Sequence, residues 1–293
     1  YIYRGRFSLV IKVWHKKVNS AFVAKALTLS DAAHQEFDIY KSLQHEKIAN
    51  LHSASVGKNN IFFVMEKLSG IDVLTYLSSK QLYTEDLVSR IIHQVIDGLE
   101  YLHFRGICYF ELQPDNVVME DRHLPNVKLV DFGSAQYMPE EGAKVQVRGS
   151  FEYLAPEILK GEEVHTPADI WGVGVLTYIL LSGVSPFAGE SEKETKDNVL
   201  YVRYHFDHLY KEVTQEATNF LMQLFKRTPQ KRPTCEECLE NKWLLPNEFM
   251  IKKREHAVFL PHHLREFSER FHSLKAKSTP AQLLNIFGKS DSR

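Results

Sequence analysis

Val127-Lys128-Leu129-Val130-Asp131-Phe132-Gly133 is the stretch on which the reading of this chain turns. A short apolar run with strand character ends in a carboxylate, an aromatic ring and a glycine, so the acid stands where a strand gives way to a loop. Upstream lies a second cluster, Tyr109-Phe110-Glu111-Leu112-Gln113-Pro114-Asp115-Asn116, which places two carboxylates and two amides within one turn-rich stretch. Downstream, Ala155-Pro156-Glu157 closes the segment that Asp131 opens, and Ala168-Asp169-Ile170-Trp171-Gly172 begins an apolar helix. Residues 105–157 thus read as a loop-rich middle between two unlike halves.

The half before it starts as strands. Phe7 to Trp14 and Ala21 to Lys25 are β-branched and aromatic runs separated by the polar turn 16–20, and Ile61 to Met65 is a third. One helix, about Ala32 to Leu43, carries Phe37, Tyr40 and Leu43 on a single stripe. From Val73 onward the period becomes helical, with Val88, Ile91, Ile92, Val95, Leu99 and Leu102 at helix spacing. The longest apolar stretch, Ile170 to Val184, is too short and too interrupted for a membrane span and reads as a buried core helix. The expected organisation is a small β-rich lobe (1–65), a larger helical lobe (66–246) and a tail (247–293).

Composition agrees with a folded globular chain. The 293 residues are 44% hydrophobic and 25% charged, which excludes disordered and collagen-like classes. Net charge is -1, so the whole molecule has no bias toward nucleic acid or membrane, and neither is expected as a partner. Residues 246–293 hold nine Lys/Arg against five Asp/Glu, net +4, and solvated charge is the expected reading of that excess over docking on the body. Three cysteines suit a reducing compartment. The Cys235-x-x-Cys238 pair lacks a second ligand pair at zinc spacing and reads as two helix cysteines after Pro233-Thr234. No leader precedes the strand-like opening at Tyr1, which reads as a cut from something longer.

Taken in order, these motifs make residues 1–245 resemble the eukaryotic protein kinase family, and the giant muscle kinases within it: titin, twitchin, the myosin light-chain kinases and, most of all, the first kinase-like domain of the obscurin group. The resemblance implies a bilobal α+β kinase fold with a helical regulatory tail. It implies that Lys25 is the lysine that holds nucleotide phosphates, that Glu36 is its ion-pair partner, and that Asp131 and Asn116 are the magnesium ligands. Val10, Val23, Met65 and Val118 would wall the adenine slot, which their apolar side chains crowd. Arg232 would be the late structural arginine. The family's Gly-rich loop reads Tyr3-Arg4-Gly5-Arg6-Phe7-Ser8 here, so Tyr3 and Ser8 hinder the backbone approach to phosphate that Gly5 retains.

The catalytic loop departs from the family pattern. Glu111 stands where an aspartate serves as base, displaced by one methylene, roughly 1.5 Å. Misplacement near 1 Å costs on the order of a hundredfold in rate. Gln113 replaces the lysine that steadies the transferring phosphate, and Phe110 replaces the arginine that receives an activation-loop phosphate. The expectation is a pseudokinase scaffold in which Mg-ATP is not required and binds weakly. The alternatives are an atypical serine/threonine kinase using Glu111, or a nucleotide switch without phosphotransfer. Lys25 and Glu36 should pair without nucleotide, and Phe132 should pack near Tyr40 and Tyr109.

The tail from Pro261 places Leu264, Phe267, Phe271 and Leu274 on one helical stripe, expected to be buried against the large lobe. A second short run, 282–287, follows. The resemblance further implies sarcomeric or signalling protein partners besides the chain's own tail, and a cytoplasmic place in the myofibril, at the M line.

Overall fold

The computed structural model describes residues 3–4, 8–17, 19–145, 150–207 and 212–277. The first lobe is a five-stranded antiparallel sheet in the order β1-β2-β3-β5-β4, made of β1 (Tyr3–Arg4), β2 (Ser8–His15), β3 (Ser20–Thr28), β4 (Leu51–Val56) and β5 (Asn60–Glu66). The hairpin between β2 and β3 turns at Asn19, whose φ of 49° lies in the left-handed region that asparagine tolerates. Helix α1 (Asp31–Ser42) is capped by the Ser30 side chain, which accepts from the Ala33 backbone, and buries Ala33, Glu36, Ile39 and Tyr40. β4 is not among the expected strands. Its solvent face is polar, and its register shifts between Leu51 and Ser53.

The second lobe is helical. Its elements are α2 (Val73–Ser78), α3 (Glu85–Phe104), α4 (Pro156–Lys160), α5 (Pro167–Ser182), α6 (Glu192–Tyr201), α7 (Gln215–Leu224) and α8 (Cys235–Leu239). Short ribbons tie the loops of its upper surface: β6 (Tyr83–Thr84), β7 (Ile107–Cys108), β8 (Val117–Met119), β9 (Val127–Leu129) and β10 (Gln136–Tyr137). α5 is buried from Ala168 to Ser182, the core helix its sequence suggests. α8 opens with a complete capping box, Thr234 with Glu237. Arg232 just before it makes a buried two-pronged pair with Glu157, at 2.7 and 2.8 Å. Cys108, Cys235 and Cys238 are free and buried. No helix among the described residues is long and apolar enough to cross a membrane.

The tail returns to this lobe through α9 (Glu248–His256), β11 (Val258–Phe259) and α10 (His262–Lys277). α9 is anchored by Arg254, only 2% exposed, whose guanidinium donates to Asp86 (2.9 Å) and Ser89 (2.7 Å) on α3. β11 pairs with β6. The first turn of α10 then crosses Gly183, where a Cβ would come within 2.6 Å of the His263 and Leu264 backbone. That residue also has a φ of +75°, so glycine is needed there twice over. The run 282–287 lies outside the described residues.

Candidate active site

The site forms where β3, α1, the loop before β8 and the loop after β9 converge. β3 presents Lys25 to the interior, and α1 presents Glu36 opposite it. Lys25 Nζ donates to Glu36 Oε1 at 2.6 Å and to Asp131 Oδ1 at 2.8 Å. Burial alone would lower the Lys25 pKa, but the charges of Asp131 and Glu36 outweigh it and hold the ammonium above its usual value. Burial likewise opposes ionisation of Asp131, yet the Lys25 charge keeps that carboxyl below its usual range. Gly133 lies so close that a Cβ would stand 3.2 Å from Asp131 Oδ1 and 3.4 Å from Glu36 Oε2. The lysine, both acids and the glycine come together as their motifs suggest.

An aromatic column locks this arrangement across the two lobes. Phe132 packs on Tyr40 (ring centroids 5.0 Å apart) and edge-on against Tyr109 (5.4 Å), and Tyr40 continues to Phe63 (6.0 Å). Both phenols are tied down: the Tyr40 hydroxyl donates to the Ala49 carbonyl at 2.7 Å, and the Tyr109 hydroxyl to the Val130 carbonyl. The expected position of Phe132 beneath α1 is therefore the one it occupies.

The catalytic loop is held from below. Asp169 of α5 accepts from the backbone N–H groups of Tyr109 and Phe110, both at 2.8 Å, and from His103 Nε2 at 2.8 Å. His103 Nδ1 in turn meets Cys235 Sγ at 3.3 Å. Phe110 and Asp131 both take left-handed backbone angles, φ of 63° and 62°. Non-glycine residues hold such angles at a cost, which the surrounding hydrogen bonds offset. Phe110 is a buried apolar residue where an arginine was expected to be lost. Asn116 is also buried and donates from Nδ2 to the Glu111 carbonyl at 2.9 Å.

Glu111 itself is engaged. Ser134 Oγ donates to its Oε1 at 2.7 Å. Burial, and after it the Asp131 charge, push the carboxyl from 4.5 up to about 7. From Tyr109 to Asn116 the loop contains no lysine or arginine. A cation does reach it, from the tail: Lys275 of α10 pairs with Asp115 and lies over the Phe271 ring at 5.0 Å.

The remaining expected site residues are placed as follows. Val10, Val23, Met65 and Val118 are each half-buried, and Met65 packs against the hydrophobic core. Tyr3 lies on β1, with its side chain outside the described set, and Gly5 lies outside the described residues altogether. A cavity of about 480 Å³ between α3 and α9 is lined by none of these residues.

On the tail, Leu264 and Phe267 are buried and Phe271 is half-buried, but Leu274 is 62% exposed, so the expected four-residue stripe is a three-residue one. Beyond Phe271 the contacts turn polar: His272 Nε2 meets Thr75 Oγ1 at 3.1 Å and Asp72 Oδ2 at 3.4 Å, and Lys275 follows on Asp115. Arg265 caps the end of α2, donating to the Ser78 and Lys80 carbonyls at 2.8 and 2.9 Å. The basic tail therefore docks on acidic and carbonyl groups of the body, against the expectation of solvated charge. Asp72, Asp115, Ser134 and Arg254 are the site and docking residues that sequence reasoning missed.

The family model described as "Protein kinase domain" matches residues 2–244. The chain belongs to the protein kinase family. It is 34% identical over 270 residues to the striated muscle preferentially expressed protein kinase of Danio rerio, covering 90% of this chain and 9% of that protein. Over 283 residues it is 31% identical to human death-associated protein kinase 2, covering 91% of this chain and 76% of that one. Among solved structures, the twitchin kinase region of C. elegans superposes with a TM-score of 0.87 at 27% identity, covering 94% of this chain and 50% of that one. The autoinhibited serine kinase domain of titin superposes with 0.83 at 26% identity, covering 94% and 86%. The two lobes are thus those of the protein kinase fold, and these relatives include the giant muscle kinases.

Proposed function

We propose that this kinase domain is a pseudokinase, a protein-interaction scaffold within a larger sarcomeric protein of the obscurin type, positioned at the M line. The observation that carries the reading is the state of Glu111. The carboxyl in the base position is buried, holds the Ser134 hydroxyl and is half protonated near neutral pH. A substrate hydroxyl would have to displace that serine, and Gln113 offers no charge to the transferring phosphate. The muscle relatives support the sarcomeric setting.

Asp131 and Asn116 each keep an oxygen able to meet magnesium, which typically takes one or two protein oxygens beside substrate phosphates. They would hold the ion, and Lys25 would meet the phosphates through the one N–H that Glu36 and Asp131 leave to it. Tyr3 and Ser8 stand where the family has glycine, so nucleotide binding is weak and not required. The test is transfer of radiolabelled phosphate from ATP to the protein itself and to generic substrates, with none expected. Incorporation that scales with enzyme and vanishes in Asp131→Ala would refute the reading.

A second reading rests on the same residue. A carboxyl titrating near 7 is well matched to general base catalysis. If Glu111 serves as base in an atypical serine/threonine kinase, incorporation should be lost in Glu111→Gln as well.

A further inference from the structure

Arg203 and Arg227 converge on Tyr201, the last residue of α6, with their guanidinium carbons 4.8 and 5.8 Å from the centroid of its ring. The tyrosine is 56% exposed, and both arginines are exposed. Neither guanidinium has an ion pair or a hydrogen bond among the described residues, although the chain holds 37 acids. The neighbouring residues 208–211 read His-Leu-Tyr-Lys and can supply no carboxylate. Lys226 and Lys231 flank Arg227, so residues 226–231 carry three cations and no acid. A guanidinium held over a ring face keeps the N–H groups on its edge available to an acceptor.

The backbone holds this arrangement at a cost. Val202, between Tyr201 and Arg203, takes φ 54° and ψ 47°, a left-handed conformation that a β-branched residue rarely adopts. It turns the chain back over the end of α6, where the Arg203 N–H donates to the Asn198 carbonyl at 2.8 Å. Arg227 stands on a fixed segment. Phe225 packs on Tyr204 with ring centroids 4.9 Å apart, and Arg232 Nε donates to the Lys226 carbonyl at 2.9 Å. The carbonyl ends of α6 and α7 favour cations nearby, but that does not account for a strained valine that brings one of them to the ring the other shares.

We propose that Arg203, Arg227 and Tyr201 form a docking site for a phosphorylated serine or threonine in a segment of a protein partner. A phosphomonoester carries about -1.5 to -2 charge and three acceptor oxygens, which suits two arginine forks, whereas a carboxylate matches one. Tyr201 would pack against the residue beside the phosphate, as tyrosines in binding hot spots commonly do. α6 opens with Glu192 and Glu194, and these oppose an extended polyanion such as nucleic acid or an anionic membrane more than a single dianion. The proposal names a partner class for the scaffold reading and rests on that reading for its purpose alone.

The probe is a short fluorescein-labelled peptide of alanine and valine with one central phosphothreonine, titrated into the full chain and read by fluorescence anisotropy. At roughly physiological ionic strength, where the Debye length is about 8 Å, it should bind more tightly than about 300 μM. The same peptide with unmodified threonine should bind at least about tenfold more weakly. Arg203→Ala and Arg227→Ala should each weaken the phosphopeptide by about tenfold, and Arg227→Lys, which keeps the charge and loses the fork, by about threefold. Both arginines are exposed, so thermal melts of these variants should match the parent. Absent binding, equal affinity for the unmodified peptide, or binding indifferent to both alanine variants would overturn the proposal. So would preference for phosphatidylinositol phosphate vesicles or a thymidine oligonucleotide over the phosphopeptide. The phosphotransfer assay is read separately, so failure here leaves the catalytic reading standing, and the reverse.

Discussion

Replacing Glu111 with glutamine should stabilise the protein, and by an amount that depends on pH. The glutamate ordinarily titrates at 4.5 and does so at about 7 in the fold, because it is buried and beside Asp131. Below 4.5 both the folded and the unfolded chain carry the proton, and the residue costs nothing. Between the two values the folded chain keeps a proton that the unfolded chain has lost, so stability falls as pH rises. Above about 7 the penalty is complete, with a ceiling of ~3 kcal/mol. Glutamine retains an oxygen that accepts from Ser134 Oγ and carries no charge, so the variant avoids the penalty. For a domain of this size that ceiling corresponds to a melting temperature higher by about 5–10 °C. Urea or thermal melts of both proteins from about pH 5 to about pH 9 measure it. The curves should separate as pH rises and converge toward the acid end. A gain that does not change with pH, or a loss at the alkaline end, would show that Glu111 is ionised and favourably paired in the fold.

The tail gives a paired test: Phe267→Asp should free α10, seen as faster amide hydrogen exchange across 262–277, whereas Leu274→Asp on the same helix should leave exchange unchanged. Lys275→Glu should loosen the last turn of α10 and, because this is a single partly exposed ion pair, change overall stability by no more than about 1 kcal/mol. Tyr109→Phe keeps the ring stack on Phe132 but leaves the Val130 carbonyl without its phenol, so denaturant melts should show a loss of about 1 kcal/mol. Glu111→Asp alone should restore no phosphotransfer in the radiolabel assay, since Gln113 still lacks the charge.

What could be read from the sequence was whatever a short motif fixes locally. Lys25, Glu36, Asp131 and Arg232 each sit in a string of neighbours that sets a backbone position, and their partners occur in equally recognisable strings. Asp115 stood in such a string, Tyr109 to Asn116, and Asp72 did not, but no string tells of a docking role that each acquires from a tail residue more than 150 positions away. Arg254 was hidden for a related reason. It lies within Lys252-Lys253-Arg254-Glu255-His256, a run that reads as a solvated face, and burying it takes Asp86 and Ser89 from a distant helix. Leu274 erred the other way. Helical spacing located its stripe correctly, but spacing carries no information about where the groove beneath ends. β4 was obscured by its own edge position, where Ser and His face solvent and a bulge interrupts alternation.

The closed arrangement of the lobes bears on function through what already satisfies it. In a kinase that depends on nucleotide to organise its cleft, the lysine, its partner and the magnesium-binding acid gain their order when phosphate arrives. Here Lys25 is already placed between Glu36 and Asp131, and Phe132 is already clamped between Tyr40 and Tyr109. Removing Lys25 from those carboxylates would leave buried charge uncompensated, which typically costs several kcal/mol. Unless phosphate offsets that cost it has only the third ammonium N–H to meet, which fits the weak nucleotide binding proposed above. The same network ties the sheet to the helical lobe, and a surface ordered beforehand loses less entropy when a partner docks. Order that needs no ligand is what the proposed scaffold would use.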